Sequence, residues 1–159
     1  AKSSWRDADL PDHERPLNGR GRKAAPAMGE MLTENGLLPD LIVTSTALRA
    51  LETAKAVMAS CNYEGSMEIT RRLYLADPAA HLEVLSDLPP GKQRVLLIGH
   101  NPGISEFLGL LTGDSREMPT ASIAWLELPL IEFADVTAQT RGRLVQFFRP
   151  SREEKRGRS

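Results

Sequence analysis

Short apolar runs alternate with helix-period segments along most of this chain. That alternation restricts it to the α/β class. Residues 41–44 (LIVT), 67–70 and 94–98 read as strands. Asn18 suits the cap of a helix over about 19–34, with Ala24, Ala25, Met28, Met31 and Leu32 as its apolar stripe and Gly36 as its stop. Pro26 falls inside that stripe and predicts a kink or a late start. Ser45 or Thr46 then caps a second helix, about 47–60, with the stripe Ala47, Leu51, Ala54 and Met58. A third helix over 79–88 stops at Pro89, Pro90 and Gly91, and Pro102 fits the first turn of a fourth, about 102–112. Residues 123–128 and 143–148 are strands with no helix between them, which predicts an antiparallel edge. Residues 1–17 read as a loop. The expected architecture is a three-layer α/β/α sandwich around a mostly parallel sheet.

Bulk properties narrow the function classes. The length of 159 residues suits one domain, expected over 1–150, followed by a charged, solvated and disordered tail at 151–159. Lys plus Arg number 20 and Asp plus Glu 21, so the total charge calls for no nucleic acid. No apolar run reaches transmembrane length and no signal-type h-region opens the chain. A single cysteine, Cys61, rules out an internal disulfide and fits a reducing compartment. The expectation is a cytoplasmic protein without membrane contact. Three scattered histidines and one cysteine give no metal-ligand spacing, so neither metal nor cofactor is expected.

In open α/β sheets, ligands bind beyond the carboxyl ends of the strands. Two residues fall there. His100 follows the strand in VLLIGHNPG (95–103), and Arg49 stands in the first turn of the helix after the strand at 41–44. Helix starts at that edge favour an anion, and a guanidinium matches phosphate oxygens as a planar fork. Asn101 adds an amide donor. Together they point to a phosphate site. The segment RPLNGRGRK (15–23) is basic and glycine-containing but matches neither the P-loop nor the dinucleotide pattern. His13, in DHER, reads as a solvated loop residue. His81, early in the third helix, reads as a surface residue.

Five segments occur in one order: AKSSW (1–5), DHERPLNGRGR (12–22), PDLIVTSTALRALET (39–53), RLYLADP (72–78) and VLLIGHNPG (95–103). Together they resemble the SixA-like phosphohistidine phosphatases of the histidine phosphatase superfamily, which share the phosphoglycerate mutase fold. The resemblance covers about residues 1–150. It implies that Arg49 and His100 are catalytic groups around the phosphate, with Lys2, Arg15, Asn18 and Asn101 as supporting or substrate-binding residues. It also implies a phosphoryl-accepting histidine at the end of a first strand, in an Arg-His pair directly before the AKSSW-like segment. The sequence begins after that point. The expectation is that an upstream segment carries the strand and the nucleophile; a true truncation is the alternative.

Many members of the superfamily use a carboxylate as general acid for the leaving oxygen. The segment RLYLADP has Leu75 where such an acid would sit and Asp77 two residues on. A missing acid fits a phosphoramidate, whose leaving imidazole nitrogen is protonated more readily than an alkoxide. The expected substrate is therefore a phosphorylated protein, as phosphohistidine, or a small phosphate ester. Two rival readings stand beside it: a non-catalytic phosphate- or phosphoprotein-binding module, and a small-molecule phosphomonoesterase.

Overall fold

The computed structural model describes residues 1–5 and 9–149. The tail expected at 151–159 lies outside the described residues. The chain runs α1 (Gly19–Glu34), β1 (Leu41–Ser45), α2 (Leu48–Ser60), β2 (Ser66–Thr70), α3 (Pro78–Ser86), β3 (Val95–Ile98), α4 (Gly103–Thr112), β4 (Ile123–Glu127) and β5 (Arg143–Phe148), with short 3-10 turns at Asp12–Glu14, Arg71–Leu73 and Phe133–Asp135. The segment read as a loop at 1–17 thus holds one such turn, and a bridge from Ser3 to Leu17 ties its start to its end.

β1 is central, paired in parallel with β2 on one side and β3 on the other. All five of its residues are buried, which is why LIVTS carries no polar alternation. Its side chains supply two separate cores. Ile42 packs with Leu32 and Leu37, with Ala54 and Val57 of α2, and with Ile123 and Phe148 of the late strands. Leu41 and Val43 pack on the opposite face with Val84 and Leu85 of α3 and Phe107 and Leu111 of α4. The result is the expected helix–sheet–helix layering, built on a parallel sheet.

Helix α1 starts at Gly19 despite Pro26, because the Asn18 side chain accepts a hydrogen bond from the Gly21 amide at 2.9 Å. Gly29 lets α1 lie close on α2: a Cβ there would stand 1.8 Å from Ser60 Oγ. The buried face of α2 is Ala50, Thr53, Ala54 and Val57. Of the expected stripe, Ala47 and Ala54 are fully buried and Met58 packs against the core, Leu51 is half-buried, and Ala50, Thr53 and Val57 complete the covered face.

The antiparallel pair β4–β5 forms a two-stranded sheet of its own rather than an edge of the parallel one. Among the described residues β3 pairs on one side only, with β1. Between β3 and β4 runs a cavity of about 1100 Å³, with Leu96, Ile98, Ala124 and Leu126 among its walls. No helix among the described residues is long and apolar enough to cross a membrane.

Candidate active site

The carboxyl ends of β1 and β3 deliver the polar residues to one place. β1 ends in Thr44 and Ser45, both fully buried, and the chain turns through Ala47 into α2, which carries Arg49 in its first turn. β3 runs into Gly99 and His100, and the following turn leads into α4. Arg49, His100, Lys2, Asn18 and Asn101 all border the cavity beside β3.

Asp12 is the hub of the cationic side. Its Oδ1 accepts from Arg15 Nε at 3.1 Å and also from Arg15 Nη2. Its Oδ2 accepts from Arg49 Nη2 at 3.0 Å and from the Tyr74 hydroxyl at 2.7 Å. Arg49 Nη1 donates to the Asp12 carbonyl oxygen at 2.7 Å. Hydrogen bonds from Tyr74, Arg15 and Arg49 hold the Asp12 carboxyl well below the usual carboxylate range. The same bond to Asp12 pushes the Tyr74 phenol up, so it stays a donor. A guanidinium carries five N–H groups, and Arg49 spends two on Asp12.

His100 forms the other side. Its Nε2 lies 2.7 Å from Ser45 Oγ, and that oxygen also accepts the Ala47 amide at 3.2 Å. Burial first, then the Arg49 charge, lower the His100 pKa from 6.5 to about 4, so the imidazole is neutral at pH 7. Tyr74 stands between two histidines, edge-on to His13 with ring centroids 4.7 Å apart and edge-on to His100 at 5.7 Å. This set can hold a tetrahedral oxyanion: guanidinium N–H groups of Arg49 that Asp12 does not take, the His100 imidazole, and the exposed Lys2.

The remaining expected residues have definite places. Arg15 is 7% exposed; it donates to Ser3 Oγ at 2.8 Å and lies 3.5 Å over the Trp5 ring. It therefore braces Asp12. Asn18 is the α1 cap. Asn101 donates to the Met118 carbonyl oxygen at 2.6 Å and accepts from Ser105 Oγ at 2.5 Å, tying the turn after β3 to the loop before β4. Asp77 caps α3 by accepting from the Ala80 amide at 2.8 Å, and Leu75 is 63% exposed at a φ of +50°.

Two expectations are corrected. His13 is a half-buried member of the site rather than a solvated loop residue: its Nε2 lies 2.7 Å from Thr46 Oγ1. His81 is 1% exposed rather than on the surface, because the α3 face carrying it, with Val84 and Leu85, turns inward. Asp12, Tyr74 and Ser45 belong to the site and were not singled out as functional residues from the sequence. The signal for the first two was their presence in DHER and RLYLADP; nothing local paired Ser45 with a histidine 55 residues away. Among the described residues no group of three or more His, Cys, Asp or Glu stands where it could hold a metal ion.

Comparison with known proteins accords with this geometry. The family model of the histidine phosphatase superfamily, branch 1, matches residues 4–74. A chloroplastic uncharacterized protein of Arabidopsis thaliana is 32% identical over 136 residues, covering 80% of this chain and 62% of its own length. The chain thus spans under two thirds of that plant relative. An uncharacterized protein of Mycobacterium tuberculosis is 30% identical over 139 residues, covering 80% of this chain and 85% of its own. A solved structure from Agrobacterium tumefaciens, assigned as the phosphohistidine phosphatase SixA, superposes with a TM-score of 0.81 at 26% identity, covering 94% of this chain and 93% of that one. Fold, site and relatives agree: the chain belongs to the histidine phosphatase superfamily.

Proposed function

We propose that the full-length protein is a metal-independent phosphatase that acts through a phosphohistidine intermediate, with protein phosphohistidine as its substrate. The observation that carries this reading is the meeting of Arg49 and His100 at the carboxyl ends of two adjacent parallel strands, on one cavity. A histidine from a segment upstream of Ala1, as the family resemblance implies, attacks phosphorus in line. The new P–N bond forms as the bond to the substrate imidazole breaks; the leaving nitrogen keeps the electron pair and takes a proton from solvent. Water then cleaves the enzyme's P–N bond and releases inorganic phosphate.

Arg49 clamps the equatorial oxygens and His100 donates a hydrogen bond to them. Lys2 meets the substrate at the rim. Arg15 acts through Asp12, and Asn18 and Asn101 hold the loops. The cavity between β3 and β4 offers a bed for a strand parallel to β3, and Ala1 borders it. A segment leaving that bed at Ala1 ends on the cavity that Arg49 also borders. The capping role of Asp77 and the apolar side chain of Leu75 fit a leaving nitrogen, which needs no strong acid. The exposed Trp5 at the cavity fits a protein surface as partner.

The test uses the full-length protein with its upstream segment. Phosphate release is measured from a phosphohistidine-bearing protein, from p-nitrophenyl phosphate and from a sugar phosphate, and acid-labile label on the enzyme is counted. The expected result is fastest release from the phosphohistidine protein with transient labelling. Release confined to small esters supports the phosphomonoesterase reading. Tight phosphate binding without turnover supports the binding module.

A further inference from the structure

His81 is a buried titratable side chain that the proposed chemistry does not use, and among the described residues it alone keeps a buried side-chain polar atom without a hydrogen-bond partner. It is 1% exposed, and its Nε2 makes no hydrogen bond among the described residues. Leucine or phenylalanine would fill such a space without an unpaired nitrogen. The surroundings of the ring give histidine a use there.

Nδ1 lies 2.7 Å from the Asp77 carbonyl oxygen, one helical turn back. A carbonyl only accepts, so the proton is on Nδ1 and Nε2 carries a lone pair. One face of the ring stacks on Phe107, with centroids 5.1 Å apart and planes 22° apart. The ring is therefore held at an edge and on a face and cannot swing. Its Cε1–Nε2 edge lies against the turn that carries His100. A Cβ on Gly99 would stand 3.3 Å from Nε2, and a Cβ on Gly103 would stand 3.4 Å from Cε1. The nitrogen edge of the ring thus sits where a side chain on Gly99 would stand, and phenylalanine would put a C–H group there instead. Gly99 and Gly103 bracket His100, and the His100 carbonyl oxygen accepts the Ile104 amide at 2.9 Å, which ties the turn to the start of α4.

We infer that His81 is a positioning residue for His100: its imidazole, fixed by Asp77 and Phe107, is the floor on which the Gly99–Gly103 turn rests. It touches neither substrate nor phosphate. The inference rests on the proposed phosphatase reading only for the meaning of the anion binding that it predicts.

The test is made on the full-length protein with its upstream segment, with tungstate, a tetrahedral phosphate analogue, and with NMR titration of the histidine rings. In His81→Phe the ring volume is kept and both nitrogens are lost. The expected outcome is a melting temperature near that of the parent, a tungstate dissociation constant raised at least fivefold, and a displaced titration midpoint for His100. Unchanged affinity together with an unchanged His100 midpoint would overturn the inference and leave His81 a space-filler. Should His81→Phe fail to fold, the parent decides: two-bond nitrogen–proton correlations must show His81 neutral with the proton on Nδ1 at pH 7. A proton on Nε2, alone or on both nitrogens, sinks the inference. Failure of the phosphatase reading looks different, because the parent itself would then not bind tungstate while both His81 readouts by NMR stay as expected.

Discussion

The Asp12 carboxylate holds the Arg49 guanidinium at 3.0 Å, so a cation of the candidate site is paired with an anion of the protein itself. The two residues are 37 positions apart and belong to different elements. Asp12 anchors Arg49 in two ways, through Oδ2 and through its backbone carbonyl oxygen. Only the first involves a charge that competes with phosphate.

That distinction makes Asp12→Asn informative. Asparagine keeps the carbonyl oxygen that holds Nη1 and a side-chain acceptor for Tyr74, while the negative charge beside the anion site disappears. The chain should bind tungstate severalfold tighter and lose about 1–3 kcal/mol of stability from weakened charge-assisted bonds to Arg15 and Arg49. Isothermal titration and urea unfolding read both quantities. Weaker binding in the variant would show that the charge, not the backbone carbonyl, positions Arg49.

Arg49 itself should be far less replaceable. In the full-length protein Arg49→Ala should lower phosphatase turnover at least ~100-fold, the scale of losing an oxyanion donor. Arg49→Lys should recover little of it. An ammonium cannot bond Asp12 at two points and still present a planar fork to the phosphate. Steady-state rates on a phosphohistidine protein give the comparison, and near-parental turnover in either variant would remove Arg49 from the mechanism.

How much of this could be read from residues alone depends on the range of the signal. β1 was legible because LIVTS is buried on both faces and so is apolar without alternation. The α1 cap was legible because Asn18 acts on an amide three residues away. His100 and Arg49 were legible because each follows a strand. The full width of the α2 face was not, since Thr53 is buried through a hydroxyl that donates to the Arg49 carbonyl oxygen at 2.8 Å and carries no apolar signal. The Asp12–Tyr74 and Ser45–His100 contacts span 62 and 55 residues, and no local pattern encodes them. His81 shows the same limit: its sequence neighbourhood is that of a surface helix, and only the packing of α3 against α4 buries it.

The depressed pKa of His100 fixes the sign of a pH dependence. Above pH 6.5 the ring is neutral in both folded and unfolded chains and contributes nothing to the difference. Below 6.5 the unfolded ring takes up a proton while the folded ring resists until about pH 4. Stability should therefore fall as pH drops through the window from 6.5 to 4, by an amount on the order of 3 kcal/mol at most, and this contribution should level off below it. Burial of His81 acts in the same direction. Urea unfolding between pH 8 and 4 checks the slope, and His100→Asn should reduce it to the part that His81 contributes. Tungstate offsets the Arg49 charge that helps depress the ring, so binding near pH 6 should take up protons, seen as a buffer-dependent heat. A slope of opposite sign, or one that the variant leaves intact, would mean that His100 is not the group responsible.

Two glycines of α4 should respond oppositely to the same substitution. A Cβ on Gly103 would stand 1.7 Å from the Ala76 carbonyl oxygen, which is backbone and cannot step aside. Gly103→Ala should cost about 3 kcal/mol and displace the turn that carries His100, weakening tungstate binding along with stability. A Cβ on Gly109 would meet its nearest neighbours at 3.7 and 3.8 Å, an ordinary contact. Gly109 lies in the helix interior, so Gly109→Ala should raise stability by about 1 kcal/mol and leave binding alone. Thermal melts with tungstate titrations on both variants decide the matter. If Gly103→Ala loses stability but keeps full affinity, the close approach of the Ala76 and Gly103 backbones supports the fold without fixing His100.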